Sequence, residues 1–236
     1  MAADEVVYLH GWADATEIWN LSARPAVHRT QSLAACAGSA LSMAGISIDE
    51  VGAFDLYSCF PSSIEAALDA LGLEAGDPRP LTLTGGLPYH GGPGSNYVTH
   101  CIANAFEWLR DGGGDHALVH GNGYYLTKHA VGVYSRRPPE AAPAPDETLQ
   151  SRVDAGAAPL AVRPSMPGPA QVVAHTVPFD REGVAGHGLV LAESPSGRTV
   201  AVADPALTEH LLSGDAVGDT VVLEAAAGGP DLARRP

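Results

Sequence analysis

Lys128 is the only lysine in the chain, and Lys and Arg together number 13 against 27 Asp and Glu, for a net charge of −14. A broad nucleic-acid surface needs clustered Lys and Arg, and none occurs, so nucleic acid is not expected as a partner. Cys36, Cys59 and Cys101 stand far apart without CxxC spacing. Neither a disulfide framework nor a zinc knuckle is expected, and a reducing cytoplasm fits best. No apolar run approaches the roughly 18 residues that span a bilayer, and the acidic start MAADEVVYLHG lacks the basic flank of a signal peptide. The dinucleotide fingerprint GxGxxG and the nucleoside-triphosphate loop GxxxxGK(S/T) are both missing. His90, His100, His116, His120 and His129 crowd the centre without i, i+4 spacing on one helix, so no metal site is expected.

What is present is organised around Leu81 to Arg110, LTLTGGLPYHGGPGSNYVTHCIANAFEWLR. It reads as a strand, a glycine-rich turn and an amphipathic helix whose apolar positions are Val98, Cys101, Ile102, Ala105, Phe106 and Leu109. The free N–H groups and positive end of that helix point back into the glycine loop, an arrangement suited to a phosphate, a carboxylate or a developing oxyanion.

Taken in order, Val6 to Leu9 predicts a short strand and the segment to Arg29 a loop. Thr30 to Ala44 predicts a small-residue helix with Gly45 as its C-cap. Val51 to Phe60 contains a buried strand, and Pro61 opens a second helix ending near Gly72. After the central stretch, Ala117 to Val119 and Tyr124 to Tyr134 read as two strands joined through His120-Gly121-Asn122-Gly123. The order βαβαβαββ implies an α/β fold with a mostly parallel sheet and helices on both faces. Ligands bind such sheets beyond the carboxyl ends of strands, where YSCF, the glycine loop and HGNG fall. Residues 137–157 read as a proline-rich linker and 158–227 switch to period-two alternation, predicting a small antiparallel β-barrel, with 228–236 a frayed tail.

Tyr57-Ser58-Cys59-Phe60, the TGGLPYHGGPG loop at 84–94 and HGNGYYLTKHAVGVYS at 120–135 together resemble the C-terminal half of a thiolase, of the acetyl-CoA acetyltransferase or sterol-carrier-type group. The resemblance covers about residues 5–136. It implies half of a thiolase fold, with an acyl-CoA or 3-ketoacyl-CoA substrate, a role in lipid metabolism, and no cofactor beyond the coenzyme A carried by the substrate. It also implies that the nucleophilic cysteine lies in an N-terminal half outside this segment. The Asn or His of the family's NEAF or HDCF motif falls on Tyr57. The GHP histidine falls on Gly92, with His90 two residues earlier as a rearranged substitute. The second cysteine of CxG falls on Val119, while its oxyanion glycine is kept as Gly121. The candidate catalytic positions are therefore Tyr57, Gly121 and His90, and the candidate substrate-binding positions Gly86, Gly91, Gly92 and Asn122.

Two functional readings follow. One is the C-terminal part of a thiolase-like acyltransferase with degenerate catalytic side chains, inactive alone and paired with an N-terminal thiolase half or an oligomeric partner. The other is a non-catalytic protein that binds acyl-CoA or a partner enzyme. A nucleotide-binding α/β domain is a third, weaker reading. Cys59 reads as a buried small residue or a nucleophile at a helix start. Lys128 reads as a contact for an anionic ligand or a surface ion pair, and Trp12, Trp19 and Tyr89 as core or acyl-pocket aromatics.

Overall fold

The structure, a computed structural model, describes residues 6–236. The chain forms two compact units, one of residues up to 19 together with 28–157, the other of 20–27 together with 158–236.

The first unit is built on a four-stranded sheet of order β1-β4-β3-β2, with β1 Tyr8–Thr16, β2 Ala53–Asp55, β3 His116–Gly123 and β4 Lys128–Ser135. On one face lie α1 Gln31–Ala44 and α2 Pro61–Leu71. Their Leu33, Cys36, Ala37, Ala40, Leu41, Ala67 and Leu68 pack on Phe54, Leu56, Leu118, Val131 and Val133. Thr30 caps α1 by accepting the Leu33 N–H, and Gly45 ends it at φ 70°. On the other face, after the single turn α3 Leu87–His90, comes α4 Tyr97–Arg110, which buries Tyr97, Cys101, Ala105 and Leu109 against Ala117 and Val119. Helices therefore cover both faces, as the α/β reading expects.

Several boundaries differ from the sequence reading. The strand expected at Val6 to Leu9 runs instead from Tyr8 to Thr16, within the supposed loop, because it pairs antiparallel with β4 from Tyr8↔Ser135 to Thr16↔Lys128. The strand expected at 81–84 contributes one bridge, Asp55↔Thr82. With that crossover strand reduced to a bridge, only β2–β3 is a parallel ladder, while β3–β4 and β4–β1 are antiparallel. The sheet is thus mixed rather than mostly parallel. HGNG, expected as a connection, is the second half of β3, and Tyr124–Thr127 is the turn of a hairpin into β4. Within the expected linker, Leu149–Gly156 forms α5, whose Leu149 and Val153 join the α1 core.

The second unit is a closed barrel of order β5-β6-β7-β9-β8, with β5 Gly168–Thr176, β6 Leu189–Ser194, β7 Gly197–Ala203, β8 Thr220–Glu224 and β9 Leu232–Arg234. Helix α6 Pro205–Ser213 lies between β7 and β8 in the chain, and its Leu207 and Leu211 join the barrel core. All ladders of the barrel are antiparallel except β7–β9. The expected frayed tail is corrected by β9, which closes the barrel, and by Asp231, which is fully buried and accepts from Ser165 Oγ and Met166 N at 2.6 Å each. Among the described residues no helix is long and apolar enough to cross a membrane.

Candidate functional site

Strand β2 ends on Asp55, a carboxylate in an otherwise apolar segment, and it is fully buried. A buried carboxylate demands donors. Thr84 supplies two, its N–H at 2.7 Å to Oδ2 and its hydroxyl at 3.1 Å to Oδ1. Burial still raises the Asp55 carboxyl above its ordinary range, partly offset by these bonds and by the Cys101 thiol. Thr84 Oγ1 lies 3.0 Å from the Tyr97 hydroxyl, which in turn lies 3.2 Å from Ser58 Oγ. A continuous polar chain therefore ties the end of β2, the start of the glycine loop and the first residue of α4. Burial drives the Cys101 thiol far upward, with Asp55 adding to the shift, so it stays protonated.

Around this chain the structure gathers three of the positions singled out in the sequence. Tyr57 packs edge to face on Tyr97, with centroids 5.2 Å apart, and burial raises its phenol. Gly86 is buried at φ 93°, and a Cβ there would come within 3.1 Å of Ser58 Oγ, so only glycine suits the turn. Gly121 faces Val98 on α4, where a Cβ would lie 3.2 Å from Cγ2.

The other positions lie elsewhere. His90 is drawn along α4, with Nε2 3.3 Å from Asn104 Nδ2 and its ring 5.3 Å from that of His100. Gly91 and Gly92 are exposed, and a Cβ at either would meet nothing within 4 Å. Asn122 projects from the face of β3 opposite to Gly121, donating from Nδ2 to Ser63 Oγ at 3.4 Å and to Cys59 Sγ at 3.9 Å at the start of α2. Asn122 and Gly121 are therefore separated by the strand's alternation. Val119 is buried on the α4 face among the apolar residues of that core. Among the described residues no group of three or more His, Cys, Asp or Glu is placed to hold a metal ion.

Ser58, Thr84, Tyr97 and Asp55 are the participants that sequence reasoning missed. The available signal was Asp55 itself, a lone carboxylate in AFDLY, which had to find partners wherever that strand was buried. What remains at the site is a set of donors and hydroxyls around an uncapped helix start, since no side chain caps α4. Such a site can hold a carbonyl or an anion.

Residues 148–226 match the family model of the thiolase-like protein type 1 additional C-terminal domain. Over 99% of its length the chain aligns with a crystal structure of a monomeric SCP2-thiolase-like protein type 1 from Mycobacterium smegmatis, at 35% identity and a TM-score of 0.89, covering 52% of that chain. It thus spans about half the length of that relative. Human mitochondrial 3-ketoacyl-CoA thiolase aligns over 55% of this chain and 30% of its own, at 18% identity and a TM-score of 0.44. No curated protein matches the chain.

Proposed function

From the premise that the chain is a member of the thiolase superfamily with an additional C-terminal domain, we propose that it is a non-catalytic acyl-CoA-binding half of a thiolase-like protein. One observation carries this reading. At the positions where the resemblance places acid–base side chains, the chain has Val119 in an apolar core, Gly92 without a side chain, and Tyr57 packed on Tyr97. General acid–base groups contribute on the order of 10²–10⁴-fold, so their loss removes ordinary thiolase turnover while leaving binding groups in place. The thioester carbonyl would be held by backbone N–H groups at Gly121 and the start of α4, and the hydroxyls of Tyr57 and Ser58 would border it. Val98, lying against Gly121, sets the depth of that end of the site.

The partner proposed is an N-terminal thiolase half, within a longer polypeptide or as a separate subunit. Exposed Phe60 and Tyr89 on the site loops offer it aromatic contact surface. The acyltransferase reading stands as the alternative, favoured by retention of Gly121, and requires a partner that supplies both nucleophile and base.

Calorimetric titration of the chain with acetyl-CoA tests the proposal. Saturable one-to-one binding is expected, and no detectable binding up to millimolar ligand would overturn it.

A further inference from the structure

The single lysine of this acidic chain is held in an unusual way. Lys128 Nζ lies 5.3 Å from the centroid of the Trp19 ring and 5.0 Å from that of Tyr124, and these two rings meet edge to face at 5.5 Å. Both distances are within the range over which an aromatic face attracts a cation. Among the described residues no carboxylate forms an ion pair with Lys128. Its charge is oriented by rings rather than neutralised, in a protein whose net charge is −14.

The hairpin that carries it is strained. Tyr124 and Leu126 adopt φ of 55° and 52°, a region that side chains other than glycine rarely occupy. Such conformations persist only where surrounding bonds impose them. Here Thr127 N donates to Gly123 O at 3.2 Å, and Glu17 N donates to Thr127 O at 2.7 Å, fixing the turn to the end of β1. The turn is thus tied to the end of β1, and Trp19, Tyr124 and Tyr125 remain 60%, 69% and 77% exposed. The tip follows Gly121-Asn122-Gly123 directly, at the carboxyl end of β3, where ligands of open α/β sheets are bound.

We infer that Trp19, Tyr124, Tyr125 and Lys128 form a binding site for a phosphorylated aromatic ring, of the class of a purine nucleoside bisphosphate. The phosphate pairs with the Lys128 ammonium, and the base stacks on the exposed rings. That the nucleotide is the one carried by coenzyme A rests on the acyl-CoA reading above; the site itself rests on the cation and the rings. Polynucleotide is disfavoured by the net charge of −14.

The test uses adenosine 3′,5′-bisphosphate, which has no thioester, titrated into the 236-residue chain by calorimetry and by tryptophan fluorescence. Saturable binding that weakens with salt is expected. Lys128→Met should weaken it at least about tenfold, as expected for loss of a charge-assisted contact, whereas Lys128→Arg should keep it within about threefold. Trp19→Leu should weaken it severalfold while leaving the unfolding midpoint unchanged, because the ring is largely exposed. Absence of saturable binding would overturn the site, as would full affinity in both Lys128→Met and Trp19→Leu. Equal affinity for inorganic phosphate would also overturn it. S-acetylpantetheine, a thioester without a nucleotide, reports the thioester site separately: its failure to bind counts against the acyl-CoA proposal and leaves the nucleotide result standing.

Discussion

At the scale of single residues, the most consequential group outside the candidate site is His120. It is fully buried, with Nε2 2.9 Å from His129 Nδ1, the two rings stacked at 19°. His129 Nε2 lies 2.8 Å from Thr30 Oγ1, and Thr30 donates to Glu17 Oε1 at 3.3 Å. Glu17 also accepts from Ser32 N at 2.7 Å, placing a carboxylate at the start of α1. Burial, with His129 adding to it, lowers the His120 pKa from 6.5 to about 3. The folded protein therefore refuses a proton that the unfolded chain takes up below about pH 6.5. Stability should be insensitive to this group above that pH and fall as pH drops from 6.5 toward 3, by up to about 1.4 kcal/mol per pH unit. Urea unfolding at pH 7.5, 5.5 and 4.5 checks this by comparing the chain with His120→Leu. The variant should lose the His120 part of the acid slope, and identical slopes would contradict it. His120 points away from Val119 by strand alternation, but in the sequence it reads as part of a connection, and its bond to His129 depends on the β3–β4 register pairing Asn122 with His129.

At the scale of elements, the helices were the most legible parts. Thr30 with Gly45, and Pro61 with Gly72, mark the ends of α1 and α2 in the sequence and are found there. Strand β1 was not legible beyond Leu9, because HGWADAT lacks an apolar run and becomes a strand only by pairing with β4. The tip Tyr124-Tyr125-Leu126 misled in the opposite sense, its aromatic residues favouring a strand where the backbone turns. Contact between β1 and α1 gives a sharp prediction. A Cβ on Gly11 would sit 2.0 Å from Ala40 O, whereas one on Gly38, in the middle of α1, would meet nothing within 4 Å. Gly11→Ala should therefore destabilise the first unit by about 3 kcal/mol through forced separation of strand and helix. Gly38→Ala should stabilise it by about 0.5–1 kcal/mol by removing a flexible residue from a helix interior. Equal midpoints for the two variants in urea would refute the close packing.

At the scale of the whole molecule, two units with separate cores share one chain. The chain divides between residues 157 and 158, where the sequence changes from helical to alternating periodicity. What was hidden is that 20–27 joins the barrel unit, through Leu160 N donating to Ala23 O at 2.8 Å and Arg198 donating to the carbonyls of Arg24 and Pro25. These contacts span some 135 residues or more of sequence, and no local pattern encodes them. Barrel closure is similarly non-local. The family match ends at residue 226, before β9, which pairs with both β7 and β8. A chain ending at residue 226 should have an open barrel that is cut rapidly by a nonspecific protease within 168–224. Resistance equal to that of the full chain would show β9 to be dispensable.

We propose that the thiolase-like site binds thioesters without turning them over. The most direct test is thiolysis of acetoacetyl-CoA by free coenzyme A, followed spectrophotometrically at ligand concentrations that saturate the calorimetric binding isotherm. Bound substrate and no rate above the uncatalysed background are expected. A rate that rises with protein concentration and saturates with substrate would contradict this and return Tyr57, Gly121 and His90 to consideration as working catalytic groups.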